Sequence, residues 1–564
     1  VLLNPTKYTV EHNDPHFQKI IEKTIQFFED KGLDRVTDDD RQKRWYADFL
    51  EFIKKEEIFS ALLTPQGLGG ENCRWDTWRI AHFNEILGFY GLAYWYTWQV
   101  SILGLGPIWM SKNAALKQQA AALLKDGEVF AFGLSEKEHG ADIYSTGMSL
   151  TPQTNGNYLA NGSKYYIGNG NIAKMVSTFG KMSDSGDYVV FVANYQHEKY
   201  TCVKNVVNSQ NYVAEYELSE YPIDEGDILH KGQEAWNAVL NTVNIGKYNL
   251  GWASIGMSTH AFYEAINHAS HRELYNMYVT DFSHVKQMFV DAYARLVAMK
   301  LVALRAADYM RVASSDDKRY LLYNPVVKMK VTTQGEAVVD LLWDVIAAKG
   351  FEKDTFFDMV TRDIRALPKL EGTVHVNIAL ILKFMANYFF KPQAYPAVEQ
   401  QSQATNDDFL FDQGPARGLG KIRFHDYRKV YGPVQLPNVK IFKKQIRLLK
   451  TLLMLARPDE QQGKDIDFLM ALGELFTLVV YGQLVLENAR IYAVEDDTID
   501  QIFDFMVRDF SKHALQLYSK ASSTRNQMRF CSRMIKKPAA DKARFMRVWE
   551  NEIYPLKDEY VMQA

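Results

Sequence analysis

Apolar residues recur at helical spacing through the first 126 residues. Phe17, Ile20, Ile21 and Ile25 form one stripe, and Trp45, Phe49, Phe52 and Ile53 another. A turn-rich break, Leu62–Gly70, precedes two further apolar stretches, Trp75–Tyr96 and Leu103–Leu124. The pattern changes at Gly127. Val129–Leu134 (VFAFGL) reads as a buried strand, and Gly156–Gly170 (GNYLANGSKYYIGNG) as a hairpin with Asn161-Gly162 as its turn. Asp187–Tyr195 and Tyr212–Tyr216 continue the β pattern. From Asn244 the helical period returns, over Lys247–Leu274, Phe282–Ser314, Leu321–Lys349 and Val374–Phe390. Four long apolar-striped helices predict a bundle. A Pro-, Gln- and Gly-rich stretch follows, and then a last helical region. The expected fold class is mainly α with a central β domain. Its parts are a helical domain (1–127), a middle β domain (128–241), a helical bundle (242–390), a linker (391–433) and a C-terminal helical extension (434–564).

Composition narrows the function classes. The 564 residues are 47% hydrophobic and 13% aromatic, enough for several large cores. A formal net charge of −3 gives no reason to expect nucleic acid as a partner. Cys73, Cys202 and Cys531 are far apart and have no metal-ligand or redox spacing, so a disulfide-free, cytoplasmic protein without a metal site is expected. The opening VLLNPTKYTVEHNDPHFQ lacks a basic region followed by an apolar core, and no uncharged apolar run looks long enough to span a bilayer.

Trp343–Tyr388 gathers the candidate chemistry. A chain reversal at Lys349-Gly350-Phe351 leads to Arg362-Asp363-Ile364-Arg365, and Pro368 breaks the helix. Glu371-Gly372-Thr373 then opens a nearly uncharged helix. Read locally, Glu371 is either an acidic residue at a helix start or a general base whose pKa burial raises towards working pH. The N–H groups of Gly372 and Thr373 could bind a ligand oxygen or phosphate. Upstream, Phe132-Gly133-Leu134-Ser135 is a strand running into a Ser- and Gly-bearing loop that can offer N–H groups and a hydroxyl to a planar ligand.

In their order and spacing these blocks resemble the acyl-CoA dehydrogenase family of flavoproteins. The family's Thr-Glu-Pro loop with small residues, Ser and Asp reads Ser135-Glu136-Lys137 through Ala141-Asp142 here. Its Asn-Gly-x-Lys-x-Trp-Ile-Thr-Asn-Gly reads Asn161 to Gly170, with Tyr166 and Gly168 in place of Trp and Thr. Its Arg-x-x-Phe-Gly on a bundle helix reads Arg272 to Asn276. Its Gly-Gly-x-Gly-Tyr, Arg-Asp and Glu-Gly-Thr read Ala347 to Phe351, Arg362-Asp363 and Glu371-Gly372-Thr373. The resemblance covers about residues 15 to 390 and decides the local alternatives at Glu371.

The resemblance implies an FAD enzyme that introduces an α,β double bond into an acyl-CoA, as in fatty-acid β-oxidation. Glu371 would be the base taking the α-proton, its N–H polarising the thioester carbonyl beside Gly372, and the β-hydride would pass to the flavin. Phe132, Leu134, Ser135, Tyr166, Ile167 and Gly168 match positions that hold the isoalloxazine. Arg272 matches the arginine that reaches the FAD pyrophosphate across a subunit contact. Asp344, Gly350, Thr373 and His375 match further cofactor contacts. Ala141 and Lys247 match substrate contacts. Family members that place the base on an earlier helix use the position of Gly246, so that variant is not expected here. Departures carry physical consequences. Gly168 lacks a hydroxyl near the flavin, Asp344 sets an acid near cofactor phosphates, Ala347 and Ala348 replace glycines, and Lys247 offers a point charge where Arg offers a fork.

Ile441, Ile446, Leu448, Leu449, Leu452 and Leu453 alternate with Lys443, Lys444, Arg447 and Lys450 as a basic amphipathic helix. It either covers the bundle or touches a membrane surface. Related long-chain enzymes and acyl-CoA oxidases also carry such an extension, which implies a homodimer. An electron-transfer flavoprotein is the expected electron acceptor. The alternatives are an oxidase using O2, or a divergent acyl-thioester-binding protein of the same fold.

Overall fold

The computed structural model describes residues 2–8 and 14–564. Part of the N-terminal stretch read above for a leader, residues 1 and 9–13, lies outside the described residues. The chain divides into two compact units. A mixed unit gathers Thr9–Asn249, Ser402–Arg417 and Met562–Ala564, and a helical unit gathers Val1–Tyr8, Leu250–Gln401 and Gly418–Val561.

The mixed unit begins with α1 (Pro15–Lys31), α2 (Leu33–Arg41), α3 (Ala47–Lys55), α4 (Ile58–Leu63), α5 (Thr77–Tyr90), α6 (Leu92–Met110) and α7 (Ala114–Lys125). Asp14, Asp76 and Asn113 cap α1, α5 and α7 by accepting first-turn N–H groups. α6 is apolar all round and buried almost end to end, so it serves as the unit's central rod. It lies directly on the first strand, because a Cβ on Gly104 would come within 2.7 Å of the Ala131 backbone.

The strands are β1 (Phe130–Gly133), β2 (Ser149–Pro152), β3 (Tyr158–Gly168), β4 (Met175–Met182), β5 (Tyr188–Ala193), β6 (Tyr200–Asn205), β7 (Val213–Ile223) and β8 (Ile228–Lys231). They form one sheet in the order β6-β7-β3-β2-β4-β5-β8, with β1 parallel to β4. Leu150, Ile167, Val176, Phe191 and Tyr216 are among the residues of its core. Asn161-Gly162 is not a turn, contrary to the sequence expectation. β3 runs straight through it, and the ladder with β7 shifts register between Ala160 and Gly162. Gly162 (φ +141°) makes a bulge, and a Cβ there would lie 2.9 Å from Met148 Cα. The chain reverses earlier, where Gly156 (φ +85°) donates to Gln153 O and Gln153 N donates to Asn157 O.

α8 (Gly232–Gly246) completes the contiguous part of the unit. Residues 402–417, within the stretch read as a linker, are tied to it by side chains. Asn406 Oδ1 accepts the Trp75 N–H at 2.8 Å, Asp407 Oδ2 accepts the Thr77 N–H at 2.6 Å, and Asn241 Nδ2 donates to Gly414 O at 2.9 Å.

The helical unit contains α9 (Asn249–His271), a short hairpin of β9 (Glu273–Leu274) and β10 (Met277–Tyr278), α10 (Ser283–Arg311), α11 (Tyr320–Val326), α12 (Thr332–Ile346), α13 (Phe356–Asp363) and α14 (Val374–Phe390). A π-helical turn, Val327–Val331, joins α11 to α12. After α15 (Arg428–Tyr431) come α16 (Pro437–Leu455), α17 (Ile466–Ile491), α18 (Asp496–Tyr518), α19 (Arg525–Met534) and α20 (Lys542–Val548). α16 buries Val439, Phe442, Ile446, Leu449 and Leu452.

Two sequence expectations change here. The Arg272–Asn276 motif is not helical: α9 ends at His271, and Tyr275 and Asn276, both at positive φ, turn the hairpin. And α17 is long and apolar enough to cross a bilayer, although 83% of its most apolar stretch is buried within the structure. Its two central acids are paired. Glu474 meets Lys330 at 3.1 Å, and Glu487 accepts from Arg305, Tyr309 and His425 at 2.8 to 2.9 Å. Burial alone would raise the Glu487 carboxyl, but the bonds from His425 and Arg305 outweigh it and hold it down at about 2. Through these pairs the extension is joined to the bundle, since Lys330 and Arg305 belong to the π-helical turn and α10.

Candidate functional site

In the mixed unit, the exit of β1 is stitched to the middle of β3. Ser135 Oγ donates to Tyr165 O at 2.8 Å, and the Tyr165 N–H donates to Ser135 O at 3.0 Å. The β3–β7 ladder slips again between Lys164 and Ile167, and Tyr166 takes φ +70° in this second bulge. The slip turns the Tyr166 ring outward, 43% exposed, while Ile167 returns to the core. Phe132, Leu134, Ser135, Tyr166, Ile167 and Gly168 are thus brought into one neighbourhood by a strand exit and a bulge. Gly168 has no room for a side chain. A Cβ would meet the Tyr96 ring at 2.7 Å and Val100 Cγ1 at 2.8 Å, so α6 fills the space a threonine would take. Ala141 is exposed in the loop after β1, whereas Lys247 is buried at the end of α8.

Under this loop sits a pair that sequence reasoning passed over. Lys164 is fully buried and donates to Leu134 O at 3.0 Å, Glu136 Oε1 at 2.8 Å and Thr146 Oγ1 at 3.1 Å. Burial pushes its ammonium down to about 8 despite the Glu136 charge. The Glu136 carboxyl, which burial alone would raise, is held below its usual range by Lys164 and Thr146. The signal was present, since both residues fall inside the quoted motifs, but a pairing across 28 positions has no local signature.

In the helical unit, Glu371 stands at φ +51° and Gly372 at φ +90°, two residues ahead of α14. Left-handed backbone is unusual for a glutamate. The Glu371 Oε2 atom is shielded from solvent. Thr373 caps α14, its hydroxyl accepting the Val376 N–H at 3.5 Å, and His375 is exposed in the first turn. Asp344 is exposed near the end of α12. Gly350 is pressed against Trp343, whose indole nitrogen would lie 2.7 Å from a Cβ there. Arg272 is exposed at the start of the hairpin, and among the described residues no carboxylate forms an ion pair with it. Among the described residues no group of His, Cys, Asp and Glu could hold a metal ion.

The donor set suits a flavin dinucleotide in part. An exposed flat ring with an adjacent hydroxyl suits an isoalloxazine, and an unpaired guanidinium suits a pyrophosphate. The exposed Asp344 carboxylate does not suit phosphate.

The fold is that of solved acyl-CoA dehydrogenases. Residues 234–386 match the family model described as "Acyl-CoA dehydrogenase, C-terminal domain". An acyl-CoA dehydrogenase from Bacillus anthracis, solved in complex with FAD, superposes with a TM-score of 0.73 at 15% identity, covering 98% of this chain and 97% of that one. Butyryl-CoA dehydrogenase from Megasphaera elsdenii gives a TM-score of 0.58 at 18% identity over 65% of this chain and 97% of that one. The mitochondrial very long-chain specific acyl-CoA dehydrogenase of Rattus norvegicus is 23% identical over 372 residues, covering 63% of this chain and 55% of the rat protein. The chain thus spans about half the length of the curated relatives it matches.

Proposed function

We propose that this chain is an FAD-dependent acyl-CoA dehydrogenase that removes hydrogen from the α and β carbons of a saturated acyl-CoA. The observation that carries the reading is Glu371, a carboxylate held on left-handed backbone with one oxygen out of solvent. A conformation that L-residues avoid, kept at an acid, points to a constrained functional group. Glu371 takes the α-proton, and its own N–H donates to the thioester carbonyl as negative charge develops there. Bound FAD supplies the hydride acceptor. Ser135 and Tyr166 would hold its ring through the hydroxyl and the exposed aromatic side chain, and Leu134 would add apolar contact. Arg272, exposed at the hairpin, would hold the pyrophosphate of FAD bound to a neighbouring copy.

A homodimer fits the apolar hairpin beside Arg272, where Tyr275 is 89% exposed and Leu274, Met277 and Tyr278 are also open. An electron-transfer flavoprotein is the proposed acceptor. Direct use of O2 is the second reading, favoured by the missing hydroxyl at Gly168.

The test is an anaerobic absorbance scan with butyryl-, octanoyl- and palmitoyl-CoA. Bleaching of the flavin band is expected, and Glu371→Gln should keep the yellow colour and lose the bleaching. A protein that stays colourless with FAD, or a Glu371→Gln variant that still bleaches, overturns the reading. Rapid peroxide formation on admitting air selects the oxidase.

A further inference from the structure

The reading of Glu371 as the base leaves open what keeps this residue in a conformation it disfavours. We propose that Lys328 and Asn377 are positioning residues that clamp the Glu371 turn from both sides. This rests on the proposed role of Glu371.

Lys328 comes from the π-helical turn Val327–Val331, and its side chain is fully buried. Such turns insert a residue into a helix and re-aim the side chains around it. The Lys328 Nζ donates to Pro368 O at 2.7 Å, three residues before Glu371. Pro368 has a fixed φ, so holding its carbonyl holds the peptide plane that enters the turn. The following residues close on themselves, with the N–H groups of Lys369 and Leu370 donating to Ala366 O at 2.9 and 3.0 Å.

On the other side, Asn377 is 1% exposed, and its Nδ2 donates to Gly372 O and to Thr373 O, each at 3.0 Å. Gly372 and Thr373 directly follow Glu371. The residue at φ +51° is therefore flanked by two buried donors on different helical segments, each bonded to main-chain oxygen. Released from either, Glu371 would relax to negative φ, and its carboxylate would swing away from the direction it now holds. Neither clamp needs to touch the substrate to matter for rate.

Two measurements test the clamp. In anaerobic stopped flow with the acyl-CoA that bleaches wild type best, Lys328→Met and Asn377→Ser should each slow flavin reduction about 100-fold, the loss expected for an ångström-scale misplacement. The Kd for that acyl-CoA and the bound FAD should stay within about twofold of wild type, as for a group that acts on alignment. The second measurement needs no cofactor. Glu371→Gly removes the strain and should raise the Tm of the apoprotein by ~2 °C. In the Asn377→Ser background, where the turn has already relaxed, the same change should give no rise.

Reduction rates within twofold of wild type in both variants, or an equal Tm gain in both backgrounds, overturn the clamp. If Lys328→Met does not fold, Asn377→Ser decides alone. A wild-type protein that no acyl-CoA bleaches overturns the base and the clamp together. A bleaching wild type with equally fast variants removes only the clamp.

Discussion

Lys164 and Glu136 form a buried ion pair, with Nζ 2.8 Å from Oε1 and the lysine side chain fully enclosed. The pair fixes the loop that carries Ser135 onto β3. Its two halves are not equally supported. Glu136 also accepts from Thr146 and from the N–H groups of Gly147 and Met148, whereas the other acceptors around Lys164 are neutral. Glu136→Gln is therefore expected to destabilise more than Lys164→Met, with a loss of about 3–5 kcal/mol for the ammonium left behind. Urea denaturation near pH 7 compares the two. The lysine also sets a pH dependence. Its folded value of about 8 lies below the ordinary 10.5, so the unfolded chain binds more protons between those limits. This group's contribution to stability should rise with pH from about 8 to 10.5, and Lys164→Met should remove that rise.

Glu264 carries the opposite sign. It lies half-buried in α9 with Oε2 out of solvent, and Oε1 accepts the Phe356 N–H at 3.1 Å, at the start of α13. Burial raises its carboxyl to about 7, and the Phe356 N–H and Lys349 only partly oppose that. Folded and unfolded values bracket pH 4.5 to 7, and across that window the folded state holds more protons. Stability from this group is complete below pH 4.5 and is lost as pH rises through 7. Glu264→Gln keeps an acceptor for Phe356 without the charge. It is expected to match wild type at pH 5 and to exceed it by roughly 2 kcal/mol at pH 8, read from denaturation midpoints.

Ala347 offers a plain strain test. It stands at φ +56° and ψ −138°, a region that suits glycine and costs a side-chain-bearing residue about 1–3 kcal/mol. Ala347→Gly should raise stability by about 1 kcal/mol in a thermal melt. Ala348→Gly, where φ is not positive, should lower it or leave it unchanged. The family resemblance places glycine at both positions, so the two alanines are not equivalent substitutions.

How much of this was legible in the sequence depended on whether the signal was local. β1 showed itself because Phe130–Gly133 is buried on every residue, and the bundle helices because their apolar stripes run for several turns. Asn161-Gly162 misled because the same dipeptide suits a hairpin turn and a strand bulge. Met148 and the β7 register decide between them, and both lie elsewhere in the chain. The end of α9 at His271 had no Pro or Gly to announce it, and Tyr275 and Asn276 make the turn without glycine. α17 kept its acids from looking like core residues until Arg305, His425 and Lys330 were seen beside them. The order of motifs singled out Ser135, Tyr166 and Glu371 as candidates. Lys164, Lys328, Asn377 and Tyr96 escaped notice because each acts on a segment distant in sequence or one helical turn away.

Tyr96 and Gly168 should behave as a coupled pair. The ring of Tyr96 lies 2.7 Å from where a Gly168 Cβ would be, and Val100 closes the other side. Restoring a threonine at 168 alone forces a side chain into filled space, with an expected loss of about 1–3 kcal/mol. Tyr96→Ala alone opens a cavity at a site only 9% exposed, with a loss of about 3–5 kcal/mol. Together the added methyl and hydroxyl occupy part of the space vacated by the ring. The double variant should therefore be more stable than the sum of the single losses predicts, by at least about 1 kcal/mol. Chemical denaturation of the four proteins gives this coupling directly. Simple additivity would mean that β3 moves away from α6 to admit the threonine, and that Tyr96 does not dictate the glycine.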